Sequence, residues 1–225
     1  MPDIDKINNV AVASISKLDS ITFAHGQKVN NQSVALVTDA RELIQAQTFT
    51  DESTVSFDTS ASTVGNFDVF LFQFINIHSD SDAVTFRFAS SDSSDYNWAS
   101  FWIYYQNEAG SSATGDYNDS YDTLLNANTP LANISYAMGN VAHEALSGYL
   151  TMHGLHENSS SRQQAKHWFS KTAQHSNGDY HIATHNHGII VHDGTNSNDS
   201  IDQIDFSMSS GTFDGTIRLF GMALS

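Results

Sequence analysis

The chain has 225 residues, and its 25 acidic against 9 basic residues give a formal net charge of −16. Phosphate binding needs clustered Lys and Arg, so this balance argues against nucleic acid and against an anionic membrane surface as partners. Cysteine is absent, which excludes disulfides and cysteine zinc sites. Neither a membrane-spanning apolar run nor a secretory signal pattern is present, so we expect synthesis in a cytoplasm without membrane insertion.

A gap-free repeat of 11 residues opens the chain, with copies at 6–16, 17–27 and 28–38. Each copy begins with lysine, has apolar residues at its second and seventh positions, and has a polar Asn-Asn or Asp-Ser pair at its third and fourth. Such pairs favour turns, so each copy predicts a short strand, a turn and a second short strand. A flexible leader with chance similarity is the alternative interpretation.

Units this short bury an apolar face only against neighbours, so we expect residues 1–38 to form a repeat module for attachment or oligomerisation. Each repeat lysine is expected at a turn, paired with carboxylates of a neighbour. The residues predicted to carry assembly are the repeat lysines and the apolar positions: Lys6, Ile7, Val12, Lys17, Leu18, Phe23, Lys28, Val29 and Val34.

Residues 39–225 carry a strand-and-turn pattern, with loops built mostly from Ser, Asn, Asp and Thr. No stretch has a helical period over three turns, so we predict an all-β fold whose second domain is an antiparallel, jelly-roll-like β-sandwich. A hairpin is predicted at 210–215. The core candidates are Phe70, Phe72, Phe86, Phe88, Phe206 and Leu219. Strands are predicted at 67–77, 84–88, 101–105, 146–152, 165–172, 188–192, 204–208 and 217–222.

Aromatic residues near a long polar loop suggest a carbohydrate-binding surface formed by Tyr96, Trp98, Tyr117 and Tyr121. Sugar C–H faces stack on aromatic rings while hydroxyl groups bond to nearby acids. The alternative for Trp98 is a core or subunit-interface position.

Eight of the 11 histidines lie between His153 and His192. Imidazole is the commonest metal ligand of proteins, and a strand would point His185 and His187 to the same side. A metal ion at this pair, shared around the axis of a trimer, is therefore one hypothesis. Surface polar residues, or sensitivity to pH near the histidine pKa of about 6.5, are the alternatives.

Catalytic motifs are missing from the sequence. His143-Glu144 lacks the second histidine of a zinc-protease helix, and neither a nucleophile elbow nor a phosphate-binding loop is present. Aspartate pairs in the loops do not match the spacing of a calcium-binding EF-hand. With so many acidic residues, the sequence leaves open a pair of carboxylates that act as in a glycosidase. Nothing singles out such a pair, and we predict a protein that is not an enzyme.

Two segments resemble bacteriophage virion proteins of the tail-fibre type. The first is the leader at 6–22 (KINNVAVASISKLDSIT), and the second is the closing segment at 201–221 (IDQIDFSMSSGTFDGTIRLFG), in which Phe220 stands where tyrosine is more usual. The segments at 70–88 and 146–152 also resemble internal strands of these proteins. The resemblance implies an oligomeric structural component of the virion, on the tail or the capsid. It supplies no catalytic residues, and the histidine-rich stretch departs from it.

The function expected from these observations is a tail fibre or receptor-binding adhesin that mediates host attachment from the exterior of the virion. A homo-oligomer, with a trimer favoured, other virion proteins and a host surface glycan or receptor are the expected partners. The alternatives are a capsid decoration or head fibre protein, and a carbohydrate-binding module or polysaccharide-degrading tail protein.

Overall fold

A computed structural model describes the chain at 6–7, 10–11, 28–29, 32–33, 41–60, 64, 67–90, 95–98, 103–108, 114–116, 131–155, 166–177, 180–192 and 201–222. The chain divides into two compact units, Met1–Ala40 with Ser225 and Arg41–Leu224, which we call the N-terminal unit and the sandwich unit. Every named element in the described ranges is a β-strand, which confirms the predicted all-β class. Within those ranges, no helix has the length and apolar character needed to span a membrane.

Two short antiparallel hairpins form the described part of the N-terminal unit. In the first, β1 (Lys6–Ile7) pairs with β2 (Val10–Ala11), and in the second, β3 (Lys28–Val29) pairs with β4 (Gln32–Ser33). An Asn-Asn pair separates the two strands in sequence each time. Paired strands thus occur at the same place in the first and third repeat copies, whereas the second copy lies outside the described residues.

The strands of the sandwich unit form two antiparallel sheets. In chain order they are β5 (Glu42–Glu52), β6 (Thr54–Asp58), β7 (Val69–Ser79), β8 (Phe86–Ser90), β9 (Asp95–Trp98), β10 (Ile103–Glu108), β11 (Thr114–Asp116), β12 (Leu131–Asn133), β13 (Ala145–His153), β14 (Lys166–His175), β15 (Tyr180–His192), β16 (Gln203–Met208) and β17 (Phe213–Met222). The nine-stranded large sheet has the order β11-β10-β15-β14-β13-β7-β17-β5, with β9 also paired to β15. The four-stranded small sheet has the order β12-β8-β16-β6.

An aromatic core fills the space between the two sheets. All six predicted core residues are fully buried: Phe70, Phe72, Phe86, Phe88, Phe206 and Leu219. Rings from opposite sheets meet edge to face, with centroid separations of 5.1 Å between Phe72 and Phe206 and of 5.1 Å between Phe74 and Phe86. Each buried aromatic side chain removes about 150–250 Å² from water, so this layer supplies much of the energy that joins the sheets.

Within the described residues, each predicted segment contains a strand, but one strand is much longer than the sequence indicated. The apolar run at 188–192 is only the last part of β15, which begins at Tyr180 and has 13 residues. The segment at 184–187 is polar on both sides, since Thr184 and Asn186 are buried while His185 and His187 lie on the outward side. Cross-strand pairing with β14 and β10 holds this segment extended, and a search for apolar alternation therefore underestimates its length.

The predicted hairpin at 210–215 is wrong. β16 pairs with β6 and β8 in the small sheet, whereas β17 pairs with β5 and β7 in the large sheet, so the link crosses from one sheet to the other. Asp80 holds this crossing, because its carboxylate oxygens accept hydrogen bonds from the Thr212 amide at 2.8 Å and the Thr212 hydroxyl at 2.9 Å. Gly211 has a φ of +77°. Two apolar strands joined by a polar, glycine-containing loop have the same sequence pattern whether they pair in one sheet or lie in two opposite sheets.

Candidate ligand-binding face

The outward side of the large sheet presents a continuous set of side chains. Strand β14 alternates strictly, with Trp168 and Ser170 buried toward the core and Phe169 and Lys171 exposed. The same alternation in the neighbouring strands brings every second side chain to this side. We call the outward side of β17, β7, β13, β14 and β15 the outer face.

Four adjacent strands of the outer face contain no acidic residue. Strands β7, β13, β14 and β15 have neither Asp nor Glu, although the chain contains 25 acidic residues. The same strands carry eight of the 11 histidines and two lysines, of which Lys171 is exposed on the outer face and Lys166 is buried. On β17 the acidic residue is Asp214, whose carboxylate accepts a hydrogen bond from the Asp51 amide at 2.8 Å. In a chain of such negative charge, these strands form a region where an anion meets little repulsion.

A row of polar side chains crosses the outer face perpendicular to the strands. Direct cross-strand pairs define this polar row, which runs Arg218, Gln73, Tyr149, Lys171 and His185. Because neighbouring strands lie about 4.8 Å apart, about 14 Å of sheet separates the backbone of Arg218 from that of Lys171. The polar row therefore places two separated cations on either side of an aromatic ring.

A second row, richer in apolar groups, runs beside the first. It is built from the pairs that join Phe220, Leu71, Thr151, Phe169 and His187, and we call it the aromatic row. The two rows are two residues apart along each strand, which corresponds to about 7 Å. Phe169 is 50% exposed and Tyr149 of the polar row 39% exposed. Two large rings thus stand open to solvent in diagonally related positions, within reach of one ligand.

A groove with a volume of about 820 Å³ lies over β17, β7 and β13. Members of both rows line it, and Arg41 adds a further cation. The lining residues from the rows are Leu71, Gln73, Tyr149, Thr151 and Phe220. This volume is within the range of about 300–1,000 Å³ that ligand sites occupy, and the mixture of apolar walls with a few polar groups is typical of such sites.

Two imidazole rings flank Phe169. The ring centroid of Phe169 lies 5.9 Å from that of His153 and 6.4 Å from that of His187. His153 is also paired directly with His167 across β13 and β14. The β14 end of the aromatic row is therefore a cluster of flat rings.

Two histidines of the outer face resist protonation. Partial burial first, and the nearby positive charge of Lys171 second, lower the pKa of His185. Partial burial first, and His167 second, lower the pKa of His153. These imidazoles are neutral at pH 7, so each can donate one hydrogen bond and accept another. At neutral pH the positive charge of the polar row comes from Arg218 and Lys171.

The predicted metal pair, His185 and His187, lies on the outer face with both side chains on one side, as expected for a strand. His185 is paired with Lys171 and His187 with Phe169. Within the part of the chain that the structure describes, no group of three or more His, Cys, Asp or Glu residues is placed to hold a metal ion. A metal at this pair would need ligands from elsewhere, and the metal role stays a prediction.

The predicted carbohydrate residues fall into two groups. Tyr96 and Trp98 belong to β9, where they pair with Val191 and Ile189 of β15, so they lie beside the end of the outer face. Tyr117 and Tyr121 lie outside the described residues. The structure thus adds a different set of aromatic candidates, Tyr149 and Phe169, which the sequence did not single out.

Four of the predicted assembly residues lie in the short hairpins of the N-terminal unit, namely Lys6, Ile7, Lys28 and Val29. Lys6 pairs with Ala11, and Lys28 pairs with Ser33 at the equivalent position, so these two lysines lie in strands and not at turns as expected. The other five lie outside the described residues: Val12, Lys17, Leu18, Phe23 and Val34. Assembly through these residues stays a prediction.

A further group of histidines, missed from the sequence, lies at the opposite end of the outer face. The ring of His175 lies 4.8 Å from that of His143 and 4.9 Å from that of His181, measured between centroids. His175 and His181 are cross-strand partners. The Asn177-Gly178 pair between them is a strong hairpin signal and would have placed these two histidines opposite each other.

Comparison of the chain with models of protein families, with curated proteins and with solved structures finds no match.

Proposed function

We propose that this chain is a bacteriophage virion structural protein that acts, without catalysis, as a tail fibre or receptor-binding adhesin. In this account the N-terminal unit attaches the protein to the particle and to other copies of itself, with a trimer as the assembled form. The sandwich unit, with jelly-roll-like connections, contacts the host surface from the particle exterior.

The observation that carries this proposal is the outer face of the large sheet. An adhesin needs an exposed recognition surface on a rigid support, and the two open rings, the groove and the acid-free strands provide one. Buried side chains of the same strands fix these groups in position. A protein whose only task was to fill space in a shell would not need half-exposed rings beside cations.

The N-terminal unit supports the same proposal. Its two hairpins have strands of two residues each, which is too little for independent stability. Elements of this size gain stability by packing on neighbouring units or copies. A repeated lysine at the start of each copy supplies a regularly placed cation for acidic partners in a chain that is otherwise poor in basic residues.

Immunogold electron microscopy of purified particles, with antibody fragments raised against residues 41–224, tests the proposal. We expect gold at the tail of the particle, and we expect the same fragments to reduce adsorption of particles to host cells. Gold on the head shell, with unchanged adsorption, would instead indicate a decoration protein. Absence of the protein from particles would overturn the proposal.

A further inference from the structure

We infer that the outer face binds an acidic polysaccharide, whose carboxylates pair with Arg218 and Lys171 and whose sugar rings pack on Tyr149 and Phe169. This inference rests on the proposed attachment function and names the class of ligand. The occupant is identified from charge, register and side-chain chemistry on one sheet face.

Charge complementarity is the first argument. A net charge of −16 opposes the approach of polyanions to the chain as a whole, yet four adjacent strands of the outer face lack acidic residues. Lys171 is exposed on one of these strands, Arg218 is exposed on the adjacent β17, and Arg41 lines the groove beside them. Arginine matches a carboxylate through paired hydrogen bonds, which are roughly twice as strong as neutral ones.

The spacing of the two cations is the second argument. Gln73 and Tyr149 stand between Arg218 and Lys171 in the polar row, so the two cations are three strands apart, which is about 14 Å along the sheet. One small anion does not reach both. A polymer with anionic groups on separate units can contact both cations when it lies along the polar row.

The neutral groups of the two rows form the third argument. Between the cations lie an amide, a phenol and, in the next row, a threonine hydroxyl, all of which exchange hydrogen bonds with hydroxyl groups. The exposed side chains of Tyr149 and Phe169 lie beside them. Nucleic acid is bound by denser clusters of Lys and Arg than two separated cations, and a second protein copy favours a more apolar patch. Sugar rings that carry both hydroxyls and carboxylates fit this mixture.

Binding of the full chain to polygalacturonate and to polysialic acid, each compared with its carboxyl-reduced form, tests the inference by isothermal titration calorimetry. The variants are Arg218→Gln and Lys171→Gln. The matched control is Arg87→Gln, which removes the same charge from the small sheet, where the Arg87 Nε donates to Ser207. Thermal unfolding of every variant establishes that it is folded.

We expect the wild type to bind at least one of the two acidic polymers. We expect Arg218→Gln and Lys171→Gln each to weaken this binding about tenfold, which corresponds to one charge-assisted hydrogen bond of about 1.4 kcal/mol. Arg87→Gln should bind as the wild type does, and Lys171→Arg should restore binding where Lys171→Gln loses it. The carboxyl-reduced polymers should bind weakly and equally to all variants.

Several results would overturn the inference. They are equal affinity for acidic and carboxyl-reduced polymers, no loss in the Arg218 and Lys171 variants, or no binding to either acidic polymer. If single-stranded DNA of matched charge binds equally well, the ligand of the outer face is any polyanion and not specifically a sugar polymer. If the native mass in solution falls in the Arg218 and Lys171 variants, the ligand is a second copy of the chain. A protein that is found on particles and blocks adsorption but ignores acidic polymers would refute this inference alone. Acidic-polymer binding by a protein absent from particles would refute the proposed function alone.

Discussion

The two sides of the large sheet are built from alternate residues of the same strands, yet they obey different constraints. On the inner side, Phe72 and Phe74 pack against rings of the small sheet and are fully or almost fully buried. On the outer side, Tyr149 and Phe169 are open to solvent. Burial in the core constrains the type of each inner residue individually. The outer residues can form a binding surface only together with their neighbours across the sheet. The inner side holds the fold, and the outer side is available for recognition.

Truncation of an aromatic residue of the small sheet that packs against the inner side of the large sheet should have the largest effect. Phe206 contacts the rings of Phe57, Phe72, Phe74 and Phe86. Phe206→Ala should therefore lower the free energy of unfolding by about 3–5 kcal/mol, measured by urea denaturation. Phe169→Ala on the outer face is the matched control and should cost about 1 kcal/mol or less. Equal losses would mean that the two sides do not differ as described.

A methyl group added on the inner side of the large sheet should have a smaller effect. Gly188 lies against the indole of Trp168, and a Cβ atom there would meet Trp168 Cζ2 at 2.5 Å. Trp168 is buried and packs on Phe88, so it has little room to move. We expect Gly188→Ala to cost about 1–3 kcal/mol in unfolding free energy. A neutral result would show that the indole is loosely held.

Two histidines of the outer face should make stability depend on pH, with a smaller effect than the core substitutions. His153 and His185 have a lowered pKa in the folded chain, so they bind protons less readily folded than unfolded. Their contribution to stability is complete above the unfolded pKa of about 6.5 and is lost as pH falls through the lowered folded values. The groups opposite His185 are Lys171 and Ile103, and those opposite His153 are His167 and Val69.

We therefore expect a lower melting temperature at pH 5.5 than at pH 7.5, and a smaller difference in the double variant His153→Gln/His185→Gln. Asp80 does not interfere, because hydrogen bonds from Thr212 lower its pKa below the ordinary 3.8, outside this window. An unchanged pH dependence in the double variant would assign the effect to other groups.

The smallest effect on the sandwich unit should come from changes in the N-terminal unit. Replacing Lys6, Lys17 and Lys28 together by alanine should weaken assembly, because the repeated cations would no longer meet acidic partners. The melting transition of residues 41–224 should stay where it is in the full chain. Native mass, measured by light scattering, should fall toward that of a monomer. An unchanged native mass would mean that the lysines are only solvated.

Much of the core between the two sheets could be predicted from the sequence, because apolar alternation reports burial directly. The buried Phe70, Phe86 and Phe206 follow from that pattern. The crossing at 210–215 could not, since a hairpin and a link between sheets have the same local signal. What distinguishes them is the long-range pairing of β16 within the small sheet and of β17 within the large sheet, which the sequence does not reveal.

The outer face was only partly predictable. The alternation in β15 correctly placed His185 and His187 on one side. The polar row, however, joins Arg218, Gln73 and Tyr149 from three strands that are far apart in sequence, and only the pairing register brings them into line. Register depends on the whole sheet, so the candidate site emerges from topology rather than from a motif.

The most direct test of the outer face as a recognition surface measures how much protein binds to intact host cells. It compares the full-length wild type with the full-length double variant Tyr149→Ser/Phe169→Ser. The matched control is Val141→Ser, which removes another exposed apolar side chain, 45% exposed and outside both rows. The account predicts that the double variant keeps its fold but loses most of its cell binding, while the Val141 variant binds as the wild type does. Undiminished binding by the folded double variant would contradict the assignment of the outer face as the recognition surface.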